Sequence, residues 1–240
     1  MIVAEIKRIL RKNGSSEKAL ILQGFFKTGK GEYGEGDRFI GVKVPEIRKV
    51  AKQYKNLGLK ENLKLLKSSI HEERLLAVLI FVLQYESGNQ KTKKIIYETY
   101  LTNTEYINNW DIVDLSAPKI VGDFLKDKPK SPLYKLVKSD LLWQKRIAVV
   151  ASFCFIKNND FSHTLKIAEI LITDKQDLIH KAVGWMLREV GKRNITAEEE
   201  FLKKHCHRMP RTMLRYAIEK FSDEKRQLYL KKRKEDSYGL

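Results

Sequence analysis

The sequence predicts an all-α fold, and more narrowly an α–α superhelix in which pairs of helices stack around a concave basic groove. Apolar residues recur at three- and four-residue steps through almost every segment, which is the spacing of one helix face. The alternation typical of strands is rare, and short polar joints separate the helical segments. We expect a single domain over residues 1–240, with a frayed helix or tail from about residue 222.

A recurring pattern on the more apolar helices supports stacked repeats. Arg74, Asp114, Arg146 and Lys181 each stand at the start of an apolar run. They recur at intervals of about 32–40 residues, close to the period of helix-pair repeats that form solenoids. Because equivalent positions of stacked repeats line up on one surface, we expect these residues to form a row along the concave face.

The predicted helices are separated by joints whose composition disfavours a helix. Residues 27–37 carry four glycines and are predicted to form a loop, and Pro45 suits the first turn of the next helix. Pro118 should kink or break the helix that contains it. The predicted helices cover residues 4–10, 16–26, 46–54, 59–66, 71–85, 90–100, 107–125, 133–137, 142–156, 161–171, 177–190, 197–205 and 210–221.

The glycine-rich loop could hold a phosphate, because glycines let backbone N–H groups approach an anion closely. It does not end in Gly-Lys-Ser/Thr, and no strand precedes it. A nucleotide-binding P-loop is therefore disfavoured.

The charge of the chain indicates a polyanionic partner. The formal net charge is +17, from 47 Lys and Arg against 30 Asp and Glu. Contacts from such an excess to phosphates would provide affinity without sequence preference. Nucleic acid is therefore the favoured partner, and a ribosome-associated protein or a generally lysine-rich proteome are the alternatives.

Cysteine content and hydropathy bear on metal, redox and membrane classes. Cys154 and Cys206 are too few for a disulfide framework. His205-Cys206-His207 has the residue types of metal ligands, but no second ligand pair at a useful spacing accompanies it, so we predict no metal site. The N-terminus is charged too early for a signal peptide, and no apolar run approaches ~20 residues. We expect a cytoplasmic protein, associated with the nucleoid when it acts on DNA, and no membrane partner.

Trp110 and Asp114 are the first candidates for a functional site. They are four residues apart and so share one face of a helix, while Asp111 points away and is expected to face solvent or to cap. Aromatic rings among cations are typical of nucleic-acid binding. A structural alternative pairs Asp114 with Arg146 and buries Trp185 in the core. In the functional alternative, Asp114 stabilises an oxocarbenium-like sugar during cleavage of an N-glycosidic bond, and Arg146 holds a phosphate.

Four blocks of sequence carry a resemblance to a known family. They are FIGVKVPEIR at 39–48, NWDIVDLSAP at 109–118 followed by Gly122-Asp123, WQKRIA at 143–148, and KAVGWMLRE at 181–189. In order and spacing they resemble the DNA-alkylation-repair (AlkD-type) glycosylases, which are built of HEAT-like repeats. The resemblance extends roughly from Phe25 to Phe221.

The resemblance implies an activity and a set of catalytic residues. Asp114 would be the catalytic carboxylate, Trp110 and Trp185 would pack against the deoxyribose and backbone of the lesion, and Arg146 would lie beside them. The implied enzyme is a monofunctional glycosylase that hydrolyses the N-glycosidic bond of N3- or N7-alkylated purines in duplex DNA without full base flipping. The cationic base is already a good leaving group, so neither a general acid nor a cofactor is needed.

Further residues are expected to contact DNA, and we expect the protein to be a monomer. Phe25-Phe26 stands where the family can place a tyrosine, which leaves the range of lesions open. The alternative function is a non-catalytic HEAT-repeat binder of damaged or branched DNA, and a third is a protein scaffold with an acidic partner. The predicted DNA contacts are Phe26, Lys27, Lys43, Arg48, Arg74, Lys145, Lys181, Arg188, Arg211 and Arg215.

Overall fold

The computed structural model describes the backbone of residues 2–235 and the side chains of residues 2–231. Every regular element in this range is helical, and the one isolated β-bridge joins Arg38 to Ile70, so the all-α prediction is confirmed. The chain divides between Ile120 and Val121 into two compact units. No helix in the described range is both long and apolar enough to cross a membrane. A single domain over the whole chain remains a prediction.

The first unit is organised around α5, which packs against α3, α4, α6 and α7. Most side chains of α5 are buried, including the charged residues Glu72, Glu73 and Arg74 of its first turn. The helices of this unit are α1 (Ile2–Lys12), α2 (Ser16–Phe25), α3 (Val44–Gln53), α4 (Leu59–Leu66), α5 (His71–Ser87), α6 (Gln90–Thr102), a 3₁₀ turn (Thr104–Tyr106) and α7 (Trp110–Ala117).

Helix α7 begins later than the sequence predicts. The side chain of Asn109 accepts a hydrogen bond from the backbone N–H of Trp110 and caps the helix, so the predicted start at residue 107 is wrong. The predicted distortion at Pro118 is confirmed as a π-helical segment, Pro118–Gly122, because proline lacks an N–H and its ring crowds the preceding turn. The hydroxyl groups of Tyr100 and Ser116 lie 2.8 Å apart and connect α6 to α7.

The second unit is organised around α13, which packs against α10, α12, α14 and α15. A Cβ at Gly184 would lie 2.4 Å from the carbonyl oxygen of Met213, so glycine permits the close approach of α13 to α15. The predicted helix 142–156 is interrupted at Ser152. The helices are α8 (Asp123–Leu125), α9 (Ser131–Val137), α10 (Leu142–Ala151), α11 (Phe153–Lys157), α12 (Ser162–Ile170), α13 (Asp177–Gly191), α14 (Ile195–His205), α15 (Arg211–Ala217) with a 3₁₀ turn (Ile218–Lys220), and α16 (Asp223–Glu235).

The region from about residue 222, expected to be a frayed helix or tail, contains the regular helix α16. Tyr229 is 6% exposed, and Lys225 forms an ion pair with Glu199 of α14. Burial of Tyr229 explains why a mostly polar segment is helical here. Residues 236–240 lie outside the described part of the chain.

Candidate functional site

The first unit contains a cleft of about 540 Å³ with a mostly apolar wall. It lies between α2, the segment of residues 39–44, α3, the start of α5, and α7. Trp110 and Asp114, which the sequence places on one face of α7, both line it. The remaining lining residues are Lys18, Ile21, Leu22, Phe25, Phe26, Phe39, Gly41, Val42, Lys43, Val44, Arg48, His71, Glu72, Asp111 and Leu115.

A stack of aromatic rings forms one side of the cleft. The Phe26 ring lies nearly parallel to Phe39 at 5.0 Å and to Trp110 at 5.1 Å between ring centroids. Phe26 is 6% exposed and its ring is largely enclosed by its neighbours, so its direct contact with DNA stays a prediction. Phe25 is 62% exposed and meets Trp110 edge-on at 5.9 Å. The exposed aromatic of the pair is therefore Phe25.

The glycine-rich loop fixes Trp110 from the other side. The indole Nε1 of Trp110 donates a hydrogen bond to the Tyr33 hydroxyl at 3.3 Å. Within the loop, the amides of Gly29 and Gly31 donate to the side chains of Glu32 and Glu35, at 2.9 and 2.8 Å. Two of the amides that could have held a phosphate are thus bonded inside the loop, and the loop contributes to the site through the hydrogen bond between Tyr33 and Trp110.

Asp111 takes a position that the sequence did not indicate. The helical wheel predicted a solvent-facing or capping residue, yet Asp111 lines the cleft with its side chain 12% exposed. Its Oδ2 atom lies 2.9 Å from Nε2 of His71, and its Oδ1 atom accepts a hydrogen bond from the backbone N–H of Ile112 at 2.8 Å. The solvent-facing alternative was wrong, because α7 presents its first turn toward the buried start of α5. The hydrogen bond from Ile112 is a capping contact in the first turn, as the other alternative predicted.

Behind Asp111 lies a buried ionic cluster centred on Asp37. Its carboxylate accepts hydrogen bonds from Arg74 Nη2 at 2.6 Å and Asn109 Nδ2 at 3.2 Å, and lies 3.3 Å from Nδ1 of His71. Burial alone would raise the pKa of Asp37, but the hydrogen bond with His71 and the charge of Arg74 lower it below its usual value. Burial alone would lower the pKa of His71, but Asp111 and Asp37 raise it.

This cluster corrects the prediction for Arg74. Arg74 was expected to contact DNA as part of a surface row, but it is 3% exposed, and it pairs with Asp37 and the carbonyl oxygen of Ser68. A guanidinium enclosed in this way stabilises the fold beneath the cleft and cannot reach a phosphate without unfolding its surroundings.

A second buried carboxylate holds the segment that precedes α3. Glu72, which is 2% exposed, accepts hydrogen bonds from the backbone N–H groups of Ile40, Gly41 and Val42, at 2.8–3.2 Å. Gly41 has φ +77°, and a Cβ there would lie 2.1 Å from the carbonyl oxygen of Ser15, so only glycine fits. These contacts fix the course of the chain into Lys43.

The cations at the cleft differ from Arg74. Lys18, Lys43 and Arg48 line the cleft and are exposed, and Lys27 is exposed beside the glycine-rich loop. Among the described residues, no acidic side chain forms an ion pair with Lys27, Lys43 or Arg48. The sequence identified these three but missed Lys18, which lies on α2.

The second unit carries the other predicted site residues. Trp185 is half-buried and lies 5.9 Å from the Phe153 ring at an interplanar angle of 45°. Arg146 was predicted to hold a phosphate, but it is 5% exposed, and its Nη1 atom donates to the carbonyl oxygen of Leu178 at 2.7 Å. Arg146 is therefore buried, with one guanidinium nitrogen bonded within this unit.

Most of the predicted DNA-binding cations of the second unit form ion pairs. Lys145 pairs with Asp174 and Lys181 with Asp177, each at 2.7 Å, and Arg188 pairs with Glu219. Arg211 and Arg215 are exposed, with no ion pair among the described residues. Of the predicted row, Arg74 and Arg146 are buried while Asp114 and Lys181 are partly exposed.

Sequence reasoning missed His71, Glu72 and Asp37. A signal for two of them was present, because His71-Glu72-Glu73-Arg74 is a charged run at the start of an otherwise apolar helix. Buried charged groups require partners, and those partners mark a specific site. Among the described residues, no group of three or more His, Cys, Asp or Glu side chains is arranged to hold a metal ion.

Comparisons with known proteins give a family for the sequence and a solved structure with a similar fold. A family model described as DNA alkylation repair enzyme matches residues 6–221. A solved structure described as a predicted DNA alkylation repair enzyme from Enterococcus faecalis superimposes with a TM-score of 0.67, covering 88% of this chain and 98% of that one. Its sequence identity is 16%, so this likeness shows the fold. No curated protein matches the sequence. The family match confirms the resemblance in the four sequence blocks, and the chain belongs to the DNA alkylation repair enzyme family.

Proposed function

We propose that the protein is a monofunctional DNA glycosylase that hydrolyses the N-glycosidic bond of N3- or N7-alkylated purines in duplex DNA, without full base flipping. The observation that carries this proposal is the cleft, which combines the Asp114 carboxylate with a rigid aromatic wall in a chain of net charge +17. It further rests on membership of a DNA alkylation repair family. The protein would act as a monomer on duplex DNA of the cytoplasmic nucleoid.

The chemistry requires one carboxylate. An alkylated purine is cationic and leaves without protonation, so the barrier lies in the positive charge that develops on the deoxyribose. A carboxylate fixed in an apolar cleft stabilises such a charge more strongly than water does, and it can orient the attacking water. Asp114 is assigned this role. Trp110, held by Phe26 and Tyr33, offers a fixed aromatic face to the sugar and backbone.

The remaining residues would bind the DNA. Lys18, Lys43 and Arg48 at the cleft, Lys27 beside it, and Arg211 and Arg215 in the second unit are exposed cations suited to phosphates. Trp185 and Arg146 keep their proposed roles at the lesion backbone from the family resemblance. The contribution of Arg146 would then be limited to the small accessible part of its guanidinium.

The decisive test measures release of methylated bases from duplex DNA by the wild type, by Asp114→Asn and by the control Asp140→Asn. Asp140 is exposed in the second unit and is not one of the residues that line the cleft. We expect Asp114→Asn to lower the single-turnover rate by at least about 100-fold, as for the loss of one preorganised electrostatic group, and the control to match the wild type.

Equal rates for Asp114→Asn and the wild type would refute the assignment of Asp114. A wild type that binds methylated or branched duplexes tightly but releases no base would refute the glycosylase and establish the alternative, a non-catalytic binder of damaged or branched DNA.

A further inference from the structure

His71, the first residue of α5, lies between two carboxylates behind the cleft. It is 1% exposed, with Nδ1 3.3 Å from Asp37 and Nε2 2.9 Å from Asp111. Its ring is stacked on Phe39 at 4.5 Å and lies 5.1 Å from Phe26. These contacts hold the imidazole in one plane and leave both nitrogens directed at carboxylate oxygens.

The hydrogen bonds determine where the protons are. Ionised carboxylates only accept hydrogen bonds, and a neutral imidazole has a single N–H. A neutral His71 would therefore turn a lone pair toward Asp37 or Asp111. With both nitrogens protonated, His71 and Arg74 carry two positive charges that balance Asp37 and Asp111, which suits an interior position.

We propose that His71 is a positioning residue for the candidate active site: as an imidazolium it anchors the first turn of α7 through Asp111 and cancels the charge of that second carboxylate in the cleft. Asp111 follows Trp110 directly and precedes Asp114 by less than one turn. Its anchoring sets the rotation of α7, and hence the aim of both functional side chains. Its neutralisation prevents a second negative charge from repelling DNA at the cleft.

The arrangement makes the site sensitive to alkaline pH. Since the folded pKa of His71 is raised, the stabilisation from its charge is fully present below the ordinary value of about 6.5 and is lost as pH rises through the folded value. Above that pH, Asp111 and Asp37 face one cation, Arg74, instead of two. The charged groups around His71 or along the same cleft are Asp37, Glu72, Arg74, Asp111, Asp114, Lys18, Lys43 and Arg48.

The protonation state can be read directly by NMR of the ring nitrogens in the full chain. The chain has five histidines, and the spectrum of His71→Gln assigns the resonances of His71 by their absence. We expect both nitrogens of His71 to be protonated at pH 7.5, above the ordinary pKa of about 6.5. A neutral imidazole at that pH would overturn the proposal.

The positioning role is tested by a mutant cycle and by the pH profile of base release. We expect His71→Gln to lower the single-turnover rate by about 10-fold or more, as for a misplaced catalytic group, and to abolish the alkaline limb that we expect in the wild-type pH profile. Adding Asp111→Asn should restore part of the rate, because it removes the unbalanced charge. The control is His207→Gln, whose side chain is exposed in the second unit.

An unchanged rate and pH profile in His71→Gln, or no recovery in the double variant, would contradict the proposal. If His71→Gln does not fold, Asp111→Asn alone decides: it removes one acceptor, so the alkaline limb must move to lower pH.

The excision measurements rest on the proposed function, but other readouts do not. If the wild type releases no base, the glycosylase proposal fails, while NMR still reports the protonation of His71. Affinity for unmodified duplex DNA then reports the effect of His71 on the cleft. His71→Gln must bind this DNA more weakly than the wild type, and adding Asp111→Asn to His71→Gln must restore binding. Equal affinities would overturn the positioning role independently of catalysis.

Discussion

Helices α7 and α13 carry similar residues in different surroundings. Each has a tryptophan and a charged residue four positions apart, Trp110 with Asp114 and Lys181 with Trp185. Trp110 is stacked on Phe26, touched by Phe25 and hydrogen-bonded to Tyr33, whereas Trp185 has one tilted contact with Phe153. Lys181 is paired with a residue of its own helix. The same pair of residue types therefore gives a closely packed tryptophan in the first unit and a less constrained one in the second.

Replacing each tryptophan by alanine should show the difference between the two helices in the free energy of unfolding. Trp110→Ala is expected to lower the free energy of unfolding by about 3–5 kcal/mol, since it opens the aromatic stack. Trp185→Ala is expected to cost clearly less, because its ring has fewer aromatic neighbours. Thermal and urea denaturation of both variants measure this, with Trp143→Ala as a third half-buried tryptophan for reference. Equal losses for Trp110 and Trp185 would remove the contrast between the two helices.

A comparable contrast is expected between paired arginines. Arg74→Gln leaves Asp37 buried with one cation fewer, so a loss of about 3–5 kcal/mol in unfolding free energy is expected. Arg188→Gln breaks a pair whose partner Glu219 has a side chain 46% exposed, so water screens the loss to about 0–1 kcal/mol. Chemical denaturation at fixed pH compares the two. If Arg74→Gln proves as mild as Arg188→Gln, the buried cluster does not stabilise the first unit.

Substitution of exposed cations should have the smallest effect on the free energy of unfolding. Arg48→Gln at the cleft and Arg215→Gln in the second unit should leave the unfolding free energy within about 0.5 kcal/mol of the wild type. If each arginine contacts a phosphate, each change should reduce the slope of log affinity against log salt by about one. Fluorescence anisotropy at several salt concentrations measures the salt slopes of the two variants, and chemical denaturation measures their unfolding free energies. An unchanged slope for Arg215→Gln alone would place the DNA-binding surface on the first unit.

The sequence predicted the helical elements and the pairing of Trp110 with Asp114, because both follow from local spacing. It did not distinguish the buried Arg74 from the exposed Arg48. An arginine beside an apolar run has the same local sequence whether it is solvated or paired with a buried carboxylate. The partner of Arg74, Asp37, is remote in sequence and belongs to a loop. Asp111 was misjudged for the same reason, because its acceptor role depends on His71 of another helix.

The hydrogen bonds between Glu72 and the segment before α3 have a consequence for hydrogen exchange along the cleft. The amides of Ile40, Gly41 and Val42 lie outside any helix, yet all three are bonded to a carboxylate in the first turn of the most buried helix of the first unit. Their hydrogen exchange with solvent is therefore tied to opening of that helix and not to ordinary loop fraying. We therefore expect this wall of the cleft to exchange as slowly as α5 and to be formed before any ligand binds.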